Sequence, residues 1–284
     1  MGLMLRIVDG LVFEGKRSPV RWRLGFHDLG HGQREVTASR CIEWFESHRL
    51  GEDSICAQVL RGEREDPAQA EKDAANARRA ARRAKTTMRR RVKSMGCSRL
   101  LTLTYKSNQT DEARCKQHVK EFVRRMRTVV PDFAYVAGYE TQKRGAWHVH
   151  MATHALPVRL PARNGVMVKS WNIVRSIWRS VIGEDGNIDD SAGKLKKRSA
   201  AKIAAYLSKY LLKAFEAGAD YSKRWTASKH SMPSAQVVEV RSDTLRELFE
   251  RCFAFVDADG AEFSTWLCPF GDSLYLSSGP PAGL

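Results

Sequence analysis

Between residues 97 and 215 the spacing of apolar side chains switches between every second position and every third or fourth, and the switches mark out elements. The segment R-L-L-T-L-T-Y at 99–105 alternates and is rich enough in β-formers for a strand. From 111 to 130, Cys115, Val119, Phe122, Val123, Met126 and Val130 form a helical stripe that Pro131 stops. Residues 133–140 and 146–153 read as two further strands, and the link 141–145 reads as the turn of a hairpin. Trp171, Val174, Trp178 and Val181 fall on one face of a helix over 171–182. The acidic, glycine-bearing stretch 183–193 reads as a loop, and 199–215 as another helix. This order predicts an α+β fold, an antiparallel sheet with helices packed on it.

The flanks change the picture less. Residues 67–96 read as a basic helix, opened at Pro67 and ended near Gly96. Arg78, Arg79, Arg82, Arg83, Lys85, Arg89, Arg90, Arg91 and Lys93 follow one another there without an acid between them. Cations at i,i+4 repel, and a phosphate backbone would relieve that repulsion. Residues 1–66 carry Val12, Phe13, Trp22, Phe26, Trp44 and Phe45 and are expected to fold against the core, with no role assigned. The division expected is thus 1–66, the basic helix at 67–96, a core at 97–227 and a C-terminal extension at 228–284. That extension holds one helix, over 243–253, and a Gly279-Pro-Pro end expected to be disordered. Arg224 and Trp225 could stack on bases, though packing is the favoured reading. No internal repeat is present.

The chain has 284 residues and is 43% hydrophobic, enough for a buried core. Forty-eight Lys and Arg against 32 Asp and Glu give a net charge of +16, which calls for a polyanionic partner, nucleic acid first. No segment is long and apolar enough to span a bilayer, so a membrane is not expected as a partner. Asp9 and Glu14 come too early for a secretory signal, so the expected location is the cytoplasm. Cys41, Cys56, Cys97, Cys115, Cys252 and Cys268 are scattered without a Cys-x-x-Cys, the pattern of reduced, partly buried thiols. A second acid-free stretch, with Lys194, Lys196, Lys197, Arg198 and Lys202, leads into the last core helix.

Two segments bring chemistry. On a strand, His148 and His150 share a face, and Glu140 on the preceding strand could reach the same face across the turn. Two imidazoles and a carboxylate suit a divalent ion with open positions, which could polarise a phosphodiester. Alone, His-x-His is as often an ordinary polar pair on an exposed strand. Downstream, Tyr206-Leu-Ser-Lys209-Tyr210-Leu-Leu-Lys213 puts two phenols at i,i+4 on one helix face, each followed three residues later by a lysine. Tyrosine needs activation to act as a nucleophile, and a lysine beside it can stabilise a phosphate or a phenolate. A core role is the commoner one for such tyrosines. The joint occurrence of the Glu…His-x-His hairpin and the two Tyr–Lys pairs shifts the weight to chemistry.

In these motifs the chain resembles the HUH endonucleases, and within them the two-tyrosine rolling-circle replication initiators, such as phage A proteins and filamentous-phage and plasmid initiators. Leu101-Thr102-Leu-Thr104 resembles the first motif, Gly145-Ala-Trp-His148-Val-His150 with Glu140 the metal motif, and Tyr206-Leu-Ser-Lys209-Tyr210 the nucleophile motif. The resemblance implies a ferredoxin-like or RRM-like sheet with the histidines on a central strand. It implies Mg²⁺ or Mn²⁺ on His148, His150 and Glu140. One tyrosine would attack single-stranded or extruded origin DNA, leaving a 5′-phosphotyrosine link and a 3′-hydroxyl that primes a host polymerase. The second would support termination and strand transfer. No Walker-type loop is present, so a host helicase would be a partner, in the cytoplasm of a bacterial host. Competing readings are a two-tyrosine transposase, a relaxase, an Fe(II) oxygenase, and an inert RRM-like nucleic-acid-binding module. The charge and the Tyr–Lys pairs speak against the oxygenase. The order of the motifs speaks against the relaxase.

Overall fold

The computed structural model describes residues 4–49, 58, 61–62, 69–190, 199–216, 224–257 and 261–280. The chain divides into two compact units, Met1–Asp28, Gly32–Arg79 and Pro233–Ser278 in one, and Leu29–His31, Ala80–Met232 and Gly279–Leu284 in the other.

The first unit is built on a long hairpin. β1 (Met4–Val8) turns through Asp9 and Gly10 into β2 (Leu11–Asp28), and β3 (Arg34–Arg49) returns along it. Asp9 and Gly10 have φ of 50° and 78°, the left-handed pair that a two-residue hairpin loop requires. β2 is long enough to hold two partners along one edge. β1 pairs with Leu11–Gly15, and β11 (Gln236–Arg241) with Arg21–Phe26. On the far side β3 pairs with β13 (Ser273–Gly279), which neighbours β12 (Glu262–Leu267). Trp22, Leu24, Val36, Ala38, Leu274 and Leu276 alternate onto one face, where α5 (Leu245–Val256) covers them with Leu248, Cys252 and Val256. Thr244 caps α5 by accepting from Glu247 N.

The sequence pattern set 1–66 and 228–284 apart and led us to expect the first to fold on the core. The pairings of β11 and β13 join the two flanks in one sheet, and Trp22 lies in that sheet's own apolar cluster. The end expected to be disordered begins at Gly279, the last residue of β13, and from residue 281 it lies outside the described residues.

In the second unit β4 (Arg99–Thr104), β5 (Tyr135–Thr141), β6 (Trp147–Thr153), β9 (Asn187–Asp190) and β10 (Trp225–Ala227) form an antiparallel sheet in the order β10-β5-β6-β4-β9. β6 is therefore the middle strand. The predicted hairpin is present, with its turn closed at Gly145 (φ 82°). β9 lies where a loop was expected. It pairs with β4 on the sheet edge, and among its described side chains Ile188 alone is an apolar one turned inward. A short hairpin of β7 (Arg159–Pro161) and β8 (Met167–Lys169) was also not foreseen.

Each face of this sheet is covered. On one, Leu101, Leu103, Val149 and Met151 pack against α2 (Glu112–Val129) and α3 (Ser170–Ile182). On the other, Leu100, Val136 and Ala152 pack against Ile203, Ala204 and Leu207 of α4 (Ala200–Glu216). Met88 and Val92, near the end of α1 (Gln69–Ser94), join this second cluster. The fold is thus α+β with helices on an antiparallel sheet. Trp178 is fully buried on α3, and its indole N–H donates to Thr104 O at 2.9 Å. Trp178→Ala is expected to cost about 3–5 kcal/mol, read as a lowered Tm.

Cys97, Cys115 and Cys252 are buried free thiols, and Cys41 and Cys268 are free and half-buried, as expected; Cys56 lies outside the described residues. Burial pushes the Cys97 thiol up to about 12. Among the described residues no helix is long and apolar enough to cross a membrane.

Candidate active site

The register of the sheet decides which polar residues meet. Glu140 lies directly across from His148, and Gly138 across from His150. On the other side of β6, His150 faces Thr102 of β4. These residues share the face that α4 covers, since Leu100, Val136 and Ala152 have the same parity.

The His150 imidazole is buried and held at both nitrogens. Its Nε2 donates to Glu140 Oε2 at 2.9 Å, and its Nδ1 lies 3.2 Å from Thr102 Oγ1. His148 is half-buried, and its Nδ1 is 3.2 Å from the Gln142 side-chain amide. Burial lowers the His148 pKa, and His150 beside it lowers it further, so the ring is neutral at neutral pH.

Tyr206 comes down on this cluster from α4. Its ring stands edge-on to His150, with centroids 5.6 Å apart and planes at 87°. Leu207 and Ile203, buried on the same helix, anchor it against the sheet. Lys209 is exposed one turn on. Tyr210 and Lys213 continue the same helix, but their side chains lie outside those described. Thr104, the other residue of the first motif, donates to Asn187 O at 3.0 Å and so fastens β4 to β9.

The donor set suits a divalent ion. Two ligands on one octahedral ion at roughly 2.1 Å stand about 3 Å apart, close to the separation of His150 Nε2 and Glu140 Oε2. His150 Nε2 could serve as a ligand only without its proton. The imidazole need not lose its proton outright, because it can carry it on Nδ1, where the Thr102 hydroxyl accepts as readily as it donates. The Gln142 amide can likewise present its oxygen to His148 Nδ1. Even so, among the described residues no three His, Cys, Asp or Glu side chains already converge in ligating geometry. Glu140 and His150 are together, and His148 is engaged by Gln142.

Gln142 was missed in the sequence. The signal was available, because it shares the parity of Glu140 at the mouth of the hairpin. His154 lies just past the end of β6. Its pKa is lowered by burial and by the neighbouring imidazoles of His31 and His230, a separate histidine group. Arg224 is buried near Glu112, and Trp225 packs on the second apolar cluster, in keeping with packing roles.

The basic helix needs correction at its end. Arg91 donates to Ser228 O at 3.0 Å and lies over the Trp225 ring, and Lys93 is 2% exposed. Both are spent inside the protein, because the apolar face of α1 turns that part of the helix inward. Arg78, Arg79, Arg82 and Arg83 are exposed, and Arg89 and Arg90 are half-buried. Lys194, Lys196, Lys197 and Arg198 lie outside the described residues.

Residues 98–215 match the family model of the replication-associated protein ORF2/G2P. The match supports a replication-associated, Rep-like protein. It covers less than half of the chain, and its span runs from β4 to near the end of α4, taking in Thr102, Glu140, both histidines and both tyrosines. No curated protein and no solved structure shows a significant match.

Proposed function

We propose that the protein is a DNA nicking and joining endonuclease that initiates rolling-circle replication of a phage or plasmid. The observation that carries this reading is the placement of the Tyr206 ring edge-on against His150, itself bonded to Glu140. A carboxylate, an imidazole and a phenol in contact, with a second histidine on the same strand face, suit phosphodiester chemistry on a strongly basic chain. The family match over the same segment supports a replication role.

Glu140, His148 and His150 would hold Mg²⁺ or Mn²⁺, with Thr102 and Gln142 fixing the rings. When bound, such an ion polarises the scissile phosphate and offsets the charge that develops on it. Tyr206 then gives up its phenolic proton and forms an Oη–P bond as the P–O3′ bond breaks. The departing 3′-oxygen takes up a proton and becomes the primer for a host polymerase. Lys209 stabilises the phosphate or the phenolate as charge builds. Tyr210 and Lys213 repeat the Tyr-x-x-Lys spacing one turn further along α4. Either tyrosine could make the first cut and the other would serve the second, after which the released 3′-hydroxyl attacks the first link and closes the circle. A host helicase would open the duplex, and the bacterial cytoplasm would be the setting.

The exposed arginines of α1 would hold the DNA backbone. Replacing Arg78, Arg79, Arg82 and Arg83 together by Gln is expected to flatten the dependence of log K on log salt by roughly 3 for a single strand, while leaving the site intact. An unchanged slope would place the backbone contacts elsewhere.

The experiment for the main reading is a denaturing gel. Labelled single-stranded oligonucleotides tiling the replicon that encodes the protein are incubated with it and Mn²⁺, with and without chelator. A chelator-sensitive label travelling with the denatured protein is expected. Tight, salt-sensitive binding with no adduct on any oligonucleotide would instead support an inert nucleic-acid-binding module.

A further inference from the structure

We infer that the second unit has a nucleotide-binding pocket on the sheet face opposite Tyr206, where a base stacks by Trp171 and its phosphate meets Arg175, Lys169 and Arg99. This deepens the single-stranded DNA reading and rests on it for the source of the nucleotide.

The pocket has a volume of about 600 Å³, in the range of small-molecule sites. Its apolar wall includes Leu101 and Ile188, residues of the cluster under α2 and α3. Leu101 differs in parity from Thr102, so the pocket and the Glu140–His150 pair occupy opposite faces.

Three features select a nucleotide. Trp171 lies on the first turn of α3 and is 43% exposed, a large aromatic ring left partly in solvent at the pocket mouth. The Arg175 guanidinium stacks on it, with Cζ 4.1 Å from the ring centroid, so ring and cation form one ordered platform. A base can extend such a stack whatever its sequence.

The second feature is charge. Among the described side chains, Arg99, Lys169 and Arg175 line the pocket against one carboxylate, Asp189, which is exposed. α3 also starts here, at Lys169, without a side-chain cap and without an acid in its first turn, so the helix end adds to the positive field.

The third is an unmet donor. Arg175 Nε is buried and has no hydrogen-bond partner. Buried donors are rarely left so, and an entering phosphate oxygen would satisfy this one. An apolar ligand would use the wall but leave the three cations and this N–H idle. A bare anion would leave the indole unused.

The test uses the full chain and two readouts. Photolabelling with 8-azidoadenosine monophosphate is followed by peptide mapping. Affinity for a fluorescent single-stranded oligonucleotide is measured for the wild type, Trp171→Ala and Arg175→Gln. Neither residue belongs to the buried apolar face of α3, and circular dichroism checks that the fold is kept. The expected result is label on the peptide spanning 169–175, lost in both variants, with oligonucleotide affinity roughly tenfold weaker. Label on that peptide with unchanged oligonucleotide affinity would identify a free nucleotide as the occupant and uphold the site. No label there and no change in affinity would overturn the proposal. The covalent adduct with Mn²⁺ is scored separately in the same variants, so a failure of the tyrosine chemistry is told apart from a failure of this pocket.

Discussion

Replacing both Tyr206 and Tyr210 by Phe is expected to abolish the covalent protein–DNA adduct while single-stranded DNA is still bound. The change removes two hydroxyls and little else. Tyr206 packs, partly buried, against the second apolar cluster, and Phe keeps that packing. Each single variant is expected to retain part of the cleavage, because the two tyrosines are spaced i,i+4 along α4 and each is followed three residues later by a lysine in the sequence. Adduct yield on a denaturing gel measures cleavage, and fluorescence anisotropy measures binding. Loss of all cleavage in one single variant, with none lost in the other, would assign the chemistry to one tyrosine and remove the basis for a two-tyrosine relay. Cleavage persisting in the double variant would mean that another group or water attacks the phosphate.

Replacing His150 by Ala is expected to lower cleavage by at least about a hundredfold, the scale of losing one main electrostatic contributor at a reacting phosphate. Affinity for DNA should stay within about twofold, since the exposed arginines of α1 and not the site would carry the phosphate contacts. His150 is buried between Thr102 and Glu140, so the variant also removes the imidazole bonded to the Glu140 carboxylate. His148→Ala, at a half-buried ring, gives the same test with less disturbance. Both are expected to lose the response to Mn²⁺, and chelation of the wild type should reproduce their phenotype. Equal losses of cleavage and binding in both variants, together with a lowered Tm, would make the histidines structural.

The core of the second unit was legible because its elements obey simple periods. The stripe from Cys115 to Met126 is buried along α2, and the alternation at 99–105 and 146–153 became β4 and β6. Parity alone put His148 and His150 on one face. What parity could not supply was the hairpin register. It sets Glu140 opposite His148, yet the carboxylate reaches diagonally to His150. β9 escaped because an edge strand of N-I-D-D carries one apolar residue and no period.

The first unit was harder for a different reason. Trp22, Leu24 and Phe26 do alternate, as do Val36 and Ala38, so the strands left a trace in the sequence. Their partners β11 and β13 come from the other end of the chain, and no local pattern predicts a pairing across some two hundred residues. The inward turn of Arg91 and Lys93 was hidden likewise, because a run of cations masks the apolar stripe of Met88 and Val92 that fixes the orientation of the helix.

The most direct test of a tyrosine nucleophile is to identify the bond itself. The Mn²⁺-dependent product is digested with nuclease and protease, and the modified peptide is sequenced by mass spectrometry. A peptide from α4 carrying a nucleotide through its 5′-phosphate on Tyr206 or Tyr210 is the expected result. Cleaved DNA with free 5′-phosphate and 3′-hydroxyl ends, and no nucleotide on either tyrosine, would contradict it.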